Sequence, residues 1–348
     1  MCRDRCFSLS RPALQTHRVD TQIEHAPYPP IRNASLMLFV YPFAPMTDIR
    51  NNPSLLRIGL PKGSLQDSTV DLFNRAGFDV KVSERSYFPT IDDPDLTMIM
   101  FRAQEISRYV EDGVIDVGIT GVDWVVENSS DVHEVCELRY SKATSKPARW
   151  VLAVPEESKI TKPQDLAGGI IATELVHTTK KFFADLKVPI KKVEFSWGAT
   201  EVKARLVDAI VDITETGSSL RANRLREIAT VLSSTTRLIC NKATWADEKK
   251  RAKVEDIALL LQGAINAREK TGLKMNVPRA SLDAVLAILP AEKSPTISAL
   301  ADTPALAGAQ WVAVDIIVDE RVERALIPLL CRAGATGIIS YPLNKVIA

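Results

Sequence analysis

The sequence predicts an α/β protein with mostly parallel sheets, followed by a small α+β module. Three observations carry that prediction. Short apolar runs alternate with amphipathic stretches from Leu55 to about Thr271. Glycine-bearing turns follow several of those runs, where strands hand over to helices. After Gly272 the order becomes strand, helix, strand, strand, helix, strand, the pattern of a ferredoxin-like unit.

The elements fall in order from Leu55. "LLRIGL" reads as a buried strand, "PKGS" as a turn, and "LQDSTVDLFNRAG" as an amphipathic helix stopped by Gly77. "DLTMIMF" is a strand and "AQEISRYVEDG" a helix ending in glycine; "VIDVGITG" and "VDWVVENS" repeat the step. "RWVLAVP" and "GGIIATE" start a second round, with "HTTKKFFADLK" as helix and "DAIVDIT" as strand. A further helix is expected to open near Ser218 and run through "LRANRLREI". A long charged helix is expected from Trp245 to about Thr271, with Gly272 as its stop. In the terminal module "LKMNVP", "WVAVDIIVD" and "TGIISYPL" are strands, "PTISALA" is a strand or loop, and "ASLDAVLAILP" and "ERVERALIPLLCRAG" are helices.

Residues 1–54 are proline-rich and lack periodicity, and read as a disordered extension or a mis-assigned start, since Met46 stands just ahead of the first well-formed element. Asp4, Asp20 and Glu24 count against a transit peptide.

Composition narrows the function. The chain has 348 residues, 46% hydrophobic and 25% charged, with a net charge of only +1. That is the balance of a soluble globular protein, with no basic excess for nucleic acid. Cys2, Cys6, Cys136, Cys240 and Cys331 are scattered and fit reduced thiols in a cytoplasmic protein. No Cys/His group has zinc spacing, no HExxH or GxSxG occurs, and no apolar run is long enough to span a membrane.

Three turns could carry chemistry. "LPKGSL" offers Lys62, Gly63 and Ser64 at a helix start, which suits an anion; strand–helix geometry alone explains the same residues. In "DVGITGVD", Gly118 and Gly121 allow close backbone approach and Thr120 offers a hydroxyl. The bland reading is a tight turn with Asp123 as helix N-cap. In "DITETGSSL", Asp212 closes an apolar strand, and Thr214, Thr216, Ser218 and Ser219 surround Gly217 ahead of Leu220. Hydroxyls and amides at a helix start suit a phosphate, whereas Asp212 and Glu215 repel one. A phosphorylated sugar resolves that conflict, with the acids on its hydroxyls or facing a hydrated Mg²⁺; a capped helix with solvated acids is the alternative. Arg85 and Arg102 stand at element ends, as phosphate clamps or as ordinary surface residues.

Together "LRIGLPKGSL", "DVGITGVD", "DAIVDITETGSSLRAN" and the terminal module resemble the long form of ATP phosphoribosyltransferase, over roughly Leu55 to Ala348. The resemblance implies a two-lobed catalytic body like a type II periplasmic binding protein, plus a C-terminal ferredoxin-like (ACT-like) domain. It places lobe one at about 55–145 and 233–271, lobe two at about 147–232, and the regulatory domain at 272–348. The implied activity, the first step of histidine biosynthesis, joins the phosphoribosyl group of phosphoribosyl pyrophosphate to N1 of ATP and releases pyrophosphate. Asp212 and Glu215 become the candidate catalytic residues; Thr214, Thr216, Gly217, Ser218, Ser219 and Leu220 hold the phosphoribosyl group. Lys62, Gly63, Ser64, Arg85, Arg102, Gly118, Thr120 and Gly121 lie toward ATP and pyrophosphate. Mg²⁺ is implied, held mainly by substrate phosphates with no protein ligand assigned. Histidine is implied as feedback inhibitor, and a homo-oligomer from dimer to hexamer as the assembly. The chain departs from the family's habit at Ser64, where arginine is common, and at Arg224, where glycine is frequent, so the helix after the loop is expected to continue without a flexible point. The rival reading is a non-catalytic two-lobed sensor, which has no need of a hydroxyl loop flanked by two acids.

Overall fold

The computed structural model describes residues 54–83, 85–140, 147–290, 294–301 and 310–347. The expectation for residues 1–54 lies outside them, apart from Ser54.

The chain opens with β1 (Leu56–Lys62), α1 (Gln66–Ala76), β2 (Leu96–Arg102), α2 (Ala103–Glu111), β3 (Val117–Gly121), α3 (Val122–Asn128) and β4 (His133–Leu138). It continues with β5 (Ala148–Pro155), β6 (Ile170–Thr173), α4 (Val176–Asp185), β7 (Lys192–Phe195), α5 (Thr200–Lys203), β8 (Ala209–Thr214), α6 (Ser218–Ala222) and β9 (Leu225–Ser234). β10 (Thr236–Cys240), α7 (Lys242–Ala246) and α8 (Glu248–Ala267) follow. The last elements are β11 (Lys270–Pro278), α9 (Leu282–Leu286), β12 (Thr296–Ala299), β13 (Trp311–Asp319), α10 (Glu320–Arg332) and β14 (Thr336–Pro342).

These strands make two five-stranded sheets and one four-stranded sheet among the described residues. In the first, ordered β2-β1-β3-β10-β4, β1 is parallel to β2 and β3, whereas β10 runs antiparallel to both its neighbours. In the second, ordered β7-β6-β8-β5-β9, β6 is parallel to β7 and β8, and β5 is antiparallel to β8 and β9. The chain passes from the first to the second between β4 and β5, and returns between β9 and β10, where only Thr235 separates the strands. Two crossings between two open α/β sheets make the body two-lobed. The third sheet, ordered β12-β13-β11-β14, is antiparallel throughout, as a βαββαβ unit requires.

Each lobe has its own core. Leu56, Ile58 and Leu60 of β1 pack with Leu72, Phe73 and Ala76 of α1 and with Val254, Ile257 and Leu261 of α8. The buried positions of α1 recur at helical spacing, and Gly77 ends the helix at φ 103, where its N–H bonds back to Phe73 and Asn74. The second lobe buries Trp150, Leu152, Val154, Ile171, Phe183 and Val211 together.

The structure corrects two expected helices. The long charged helix is broken at Asp247, whose extended backbone and side chain cap α8 through Lys250 N–H, and it ends at Ala267. Gly272 lies inside β11 instead of stopping a helix; a Cβ there would stand 2.3 Å from the Tyr341 ring, so the glycine admits that ring. The helix after the loop ends at Ala222, and "LREIATVLSS" forms strand β9. Arg224 makes that turn at φ 54, taking the left-handed conformation at a cost of roughly 1–2 kcal/mol for an L-residue.

Past β14 the chain straps back onto the first lobe. Val346 N–H bonds to Gly263 O at 2.9 Å, Lys345 Nζ to Ala76 O at 2.8 Å, and Arg75 Nη2 to Leu343 O at 3.3 Å. Gly263 lacks a side chain at the point where Ile347 approaches, since a Cβ would lie 2.3 Å from its Cδ1.

Candidate active site

A cavity of about 330 Å³ opens between the lobes. Its wall takes Lys62, Gly63 and Ser64 from the end of β1, Arg102 to Gln104 from the β2–α2 junction, and Gly121, Asp123 and Trp124 from the start of α3. The second lobe contributes Trp150, Glu174, Ile213, Glu215 and Ser234. Carboxyl ends of β1, β2, β3, β6 and β8 therefore converge here, where open α/β sheets bind ligands.

The first lobe supplies cations and an open glycine turn. Gly63 sits at φ 113, and nothing lies within 4 Å of where its side chain would be. Lys62 holds its ammonium 3.6 Å from the centroid of the Tyr87 ring. Arg102 lines the cavity with extended backbone as it enters α2. A neighbouring hollow, with Tyr87, Phe88 and Phe101, shares Lys62, Gly63 and Arg102 with this wall.

The second lobe supplies hydroxyls and carboxylates. Thr214 is buried, and its Oγ1 accepts from Gly217 N–H at 2.8 Å, which closes the turn after β8. Gly217 follows at φ 72 and opens α6. Thr216 Oγ1 bonds to Ser218 Oγ at 3.0 Å, and Arg221 Nη2 to Thr216 O at 3.0 Å. Ser219 Oγ donates to Glu201 from α5. Asp212 accepts from Ile213 N–H at 2.8 Å. Burial, then the charges of Glu201 and Glu174, push its carboxyl up to about 7, and the Ile213 bond offsets this only in part.

The expected residues separate into groups. Lys62, Gly63, Ser64, Arg102, Gly121 and Glu215 share one cavity wall. Asp212, Thr214 and the run from Thr216 to Ser219 stand beside Glu215 on the same strand–helix junction but outside that wall. Leu220 is a core side chain among Val151, Ile210 and Leu225, so it anchors the loop and leaves only backbone for a ligand. Gly118 faces α2, where a Cβ would lie 2.4 Å from Ile106; its role is helix–sheet packing. Thr120 is fully buried and donates to Ala103 O at 2.7 Å, which fixes the start of α2. Arg85 is exposed and outside the cavity lining. Asp123 is not the N-cap of α3; Gly121 holds that position, and Asp123 is buried in the first turn.

Several site residues escaped the sequence. Glu174 accepts from Gly198 N–H at 3.0 Å and from Gln104 of the other lobe at 3.4 Å. Its place right after the strand "IIAT" was the available signal. Glu201 and Trp150 carried no such mark, because only the tertiary fold brings them to the junction. Among the described residues no group of three or more His, Cys, Asp or Glu could hold a metal ion, and no helix is long and apolar enough to cross a membrane.

Known proteins match over nearly all of this structure. Residues 102–263 match the family described as ATP phosphoribosyltransferase, and residues 267–345 match the HisG C-terminal domain. The ATP phosphoribosyltransferase of Chlorobium chlorochromatii (strain CaD3) is 57% identical over 298 residues, 85% of this chain and 99% of that relative. That of Chlorobaculum parvum (strain DSM 263 / NCIMB 8327) is likewise 57% identical over 298 residues, 85% of this chain and 99% of its own. Among solved structures, the ATP phosphoribosyl transferase (HisG:HisZ) complex from Thermotoga maritima aligns with a TM-score of 0.51 at 23% identity, over 60% of this chain and 99% of that one. That last likeness concerns the fold alone. At this identity over almost the full length of its relatives, and with the C-terminal domain present, the chain belongs to the ATP phosphoribosyltransferase family, in its long form.

Proposed function

We propose that the interlobe cleft transfers the 5-phosphoribosyl group of phosphoribosyl pyrophosphate to N1 of ATP, as the first step of histidine biosynthesis. The observation that carries this is the opposition of two kinds of chemistry across one cavity. Lys62 and Arg102 line it from the first lobe and Glu174 and Glu215 from the second, and the hydroxyl turn that carries Glu215 closes β8 beside that wall.

The turn from Thr214 to Ser219 takes the 5-phosphate through hydroxyls and backbone N–H groups. Glu215 and Asp212 accept from the ribose hydroxyls and so orient the ring. Lys62, Gly63, Ser64 and Arg102 hold the pyrophosphate and the ATP phosphates. The N1 lone pair forms the bond to the anomeric carbon while the carbon–oxygen bond to pyrophosphate breaks, and its electron pair leaves with that group. N1 needs no base to attack, so catalysis consists of alignment and charge stabilisation. Mg²⁺ fits as an ion carried by the substrate phosphates, with the carboxylate of Glu215 in the same wall; when bound it neutralises the leaving group.

The lobes are assigned close to the expected bounds of 55–145 with 233–271 and 147–232, with the return placed at Thr235 because β9 pairs with β5 through Ser234, and the regulatory domain is assigned to 272–348. Its antiparallel sheet is the proposed histidine site, in a cytoplasmic homo-oligomer. One assay tests activity and regulation together. ATP, phosphoribosyl pyrophosphate and Mg²⁺ are expected to give an adduct with raised near-ultraviolet absorbance, and added histidine to suppress it. No adduct from folded protein sinks the reaction and favours the sensor. A cut after Thr271 is expected to abolish the histidine effect; equal inhibition of that protein moves the effector site elsewhere. Because that cut also removes the strap on Gly263, a second cut after Pro342 separates loss of the strap from loss of the sheet.

A further inference from the structure

The two lobes are joined by more than their two chain crossings. Asp123, on α3 of the first lobe, is 2% exposed, and both its oxygens are committed to the second lobe. Oδ2 accepts from Trp150 Nε1 of β5 at 2.6 Å, and Oδ1 accepts from Ser234 Oγ at the end of β9 at 2.8 Å. Gly121 makes room for this arrangement, since a Cβ there would lie 2.0 Å from Asp123 Oδ1. One residue along, the Trp124 ring meets Trp150 edge-on at 5.9 Å. One turn further on, Glu127 accepts from His177 N–H at 2.9 Å, Thr178 N–H at 2.9 Å and Thr178 Oγ1 at 2.8 Å, at the start of α4. Asp123, Trp124 and Glu127 of α3 thus all bond or pack against the second lobe.

A buried carboxylate is an expensive fastener. Burial holds the Asp123 carboxyl above the usual range despite its hydrogen bonds. An apolar contact of the same size commonly stabilises as well or better. What hydrogen bonds add is direction, and here the direction is that of one lobe against the other. Asp123, Trp124, Trp150 and Ser234 all line the cavity that also holds Lys62, Arg102 and Glu215.

We infer that Asp123 is a positioning residue for the transfer: through Trp150 and Ser234 it sets the angle between the lobes, and with it the separation of the nucleophile from the anomeric carbon. This rests on the proposed division of substrates, ATP with the first lobe and phosphoribosyl pyrophosphate with the second. A residue of this kind has a distinctive signature. Each substrate meets its own lobe, so neither single-substrate affinity depends on the latch, whereas turnover depends on both being aligned.

The test uses the full chain with Asp123→Asn and Ser234→Ala. Asparagine keeps the shape of aspartate but offers one acceptor in place of two; alanine removes a single hydroxyl and leaves the Trp150 bond intact. For Asp123→Asn the expected result is a kcat lower by about 10–100-fold, the scale of misalignment by roughly an ångström. Ser234→Ala is expected to move the same way by less. Dissociation constants for ATP alone, and for phosphoribosyl pyrophosphate with Mg²⁺ alone, stay at the wild-type values by calorimetry. Distances between spin labels on α1 and α4 are expected to broaden in both variants. Wild-type kcat in either folded variant overturns the proposal, as does a loss of single-substrate affinity that accounts for the loss of turnover. If Asp123→Asn does not fold, Ser234→Ala decides alone. If the wild type itself makes no adduct, the reaction reading fails instead, and the spin-label distances still decide the latch: unchanged distributions overturn it.

Discussion

Gly217→Ala is expected to lower kcat/KM for phosphoribosyl pyrophosphate by about 10²-fold, the scale of losing one well-placed donor to a charged group. Gly217 stands at φ 72 between the Thr214 hydroxyl that receives its N–H and the first turn of α6. A side chain there is strained by backbone conformation, and its Cβ would lie 2.8 Å from Arg221 Nη1, in the arm that holds Thr216 O. The turn relaxes by breaking the Gly217–Thr214 bond and rotating the Ser218 and Ser219 amides, the proposed phosphate donors, out of position. Strain alone lowers stability by about 1 kcal/mol in any left-handed glycine, so a control is needed. Gly168→Ala supplies it, because Gly168 has φ 76, open space around it and no place in the cleft. Both variants are expected to melt slightly earlier, and only Gly217→Ala to lose turnover. Equal kinetics for the two would remove the turn from the site.

The strand–turn–helix rhythm was readable because its punctuation is local. Gly77 ends α1, and β1, β2 and β3 are apolar runs of strand length. β9 is hidden for a local reason as well: "RANRLREI" has no glycine, and Arg224 takes up the left-handed turn that a glycine announces. Gly118 and Thr120 looked like ligand residues because glycine and threonine after a strand serve packing and binding alike. Only the position of α2 tells which, and it lies over both. The cleft's cations and its acid-flanked hydroxyl turn were legible as types. Their partners were not, since Glu174, Glu201, Trp150 and Asp123 come together only when the lobes do. A buried aspartate bonded to a residue 111 positions away leaves no periodic trace.

Asp212→Asn is expected to separate stability from function in opposite directions, with a pH dependence of known sign. Burial, helped by Glu201 and Glu174, raises the Asp212 carboxyl from 3.8 to about 7. Between those values the unfolded chain has already released the proton that the folded chain still holds. Folding stability therefore falls as pH rises from about 4 to about 7, and the full penalty is present above that. Asparagine cannot ionise, so the variant is expected to melt later than wild type at pH 8, with the gap closing toward pH 4. A variant that melts earlier at pH 8 would mean the carboxylate is already compensated. Turnover should move the other way, down by about 10²-fold, because an amide is a poorer acceptor for ribose hydroxyls beside a centre gaining positive charge. The ligand itself should reverse the penalty. Ribose hydroxyl donors arriving at Asp212 favour its ionised form, so binding near pH 7 is expected to release a proton. Calorimetry in two buffers of different ionisation enthalpy reads that proton in the wild type, and its absence in Asp212→Asn assigns it. A proton count unchanged by the substitution would place the titrating group elsewhere and leave Asp212 outside the ribose contact.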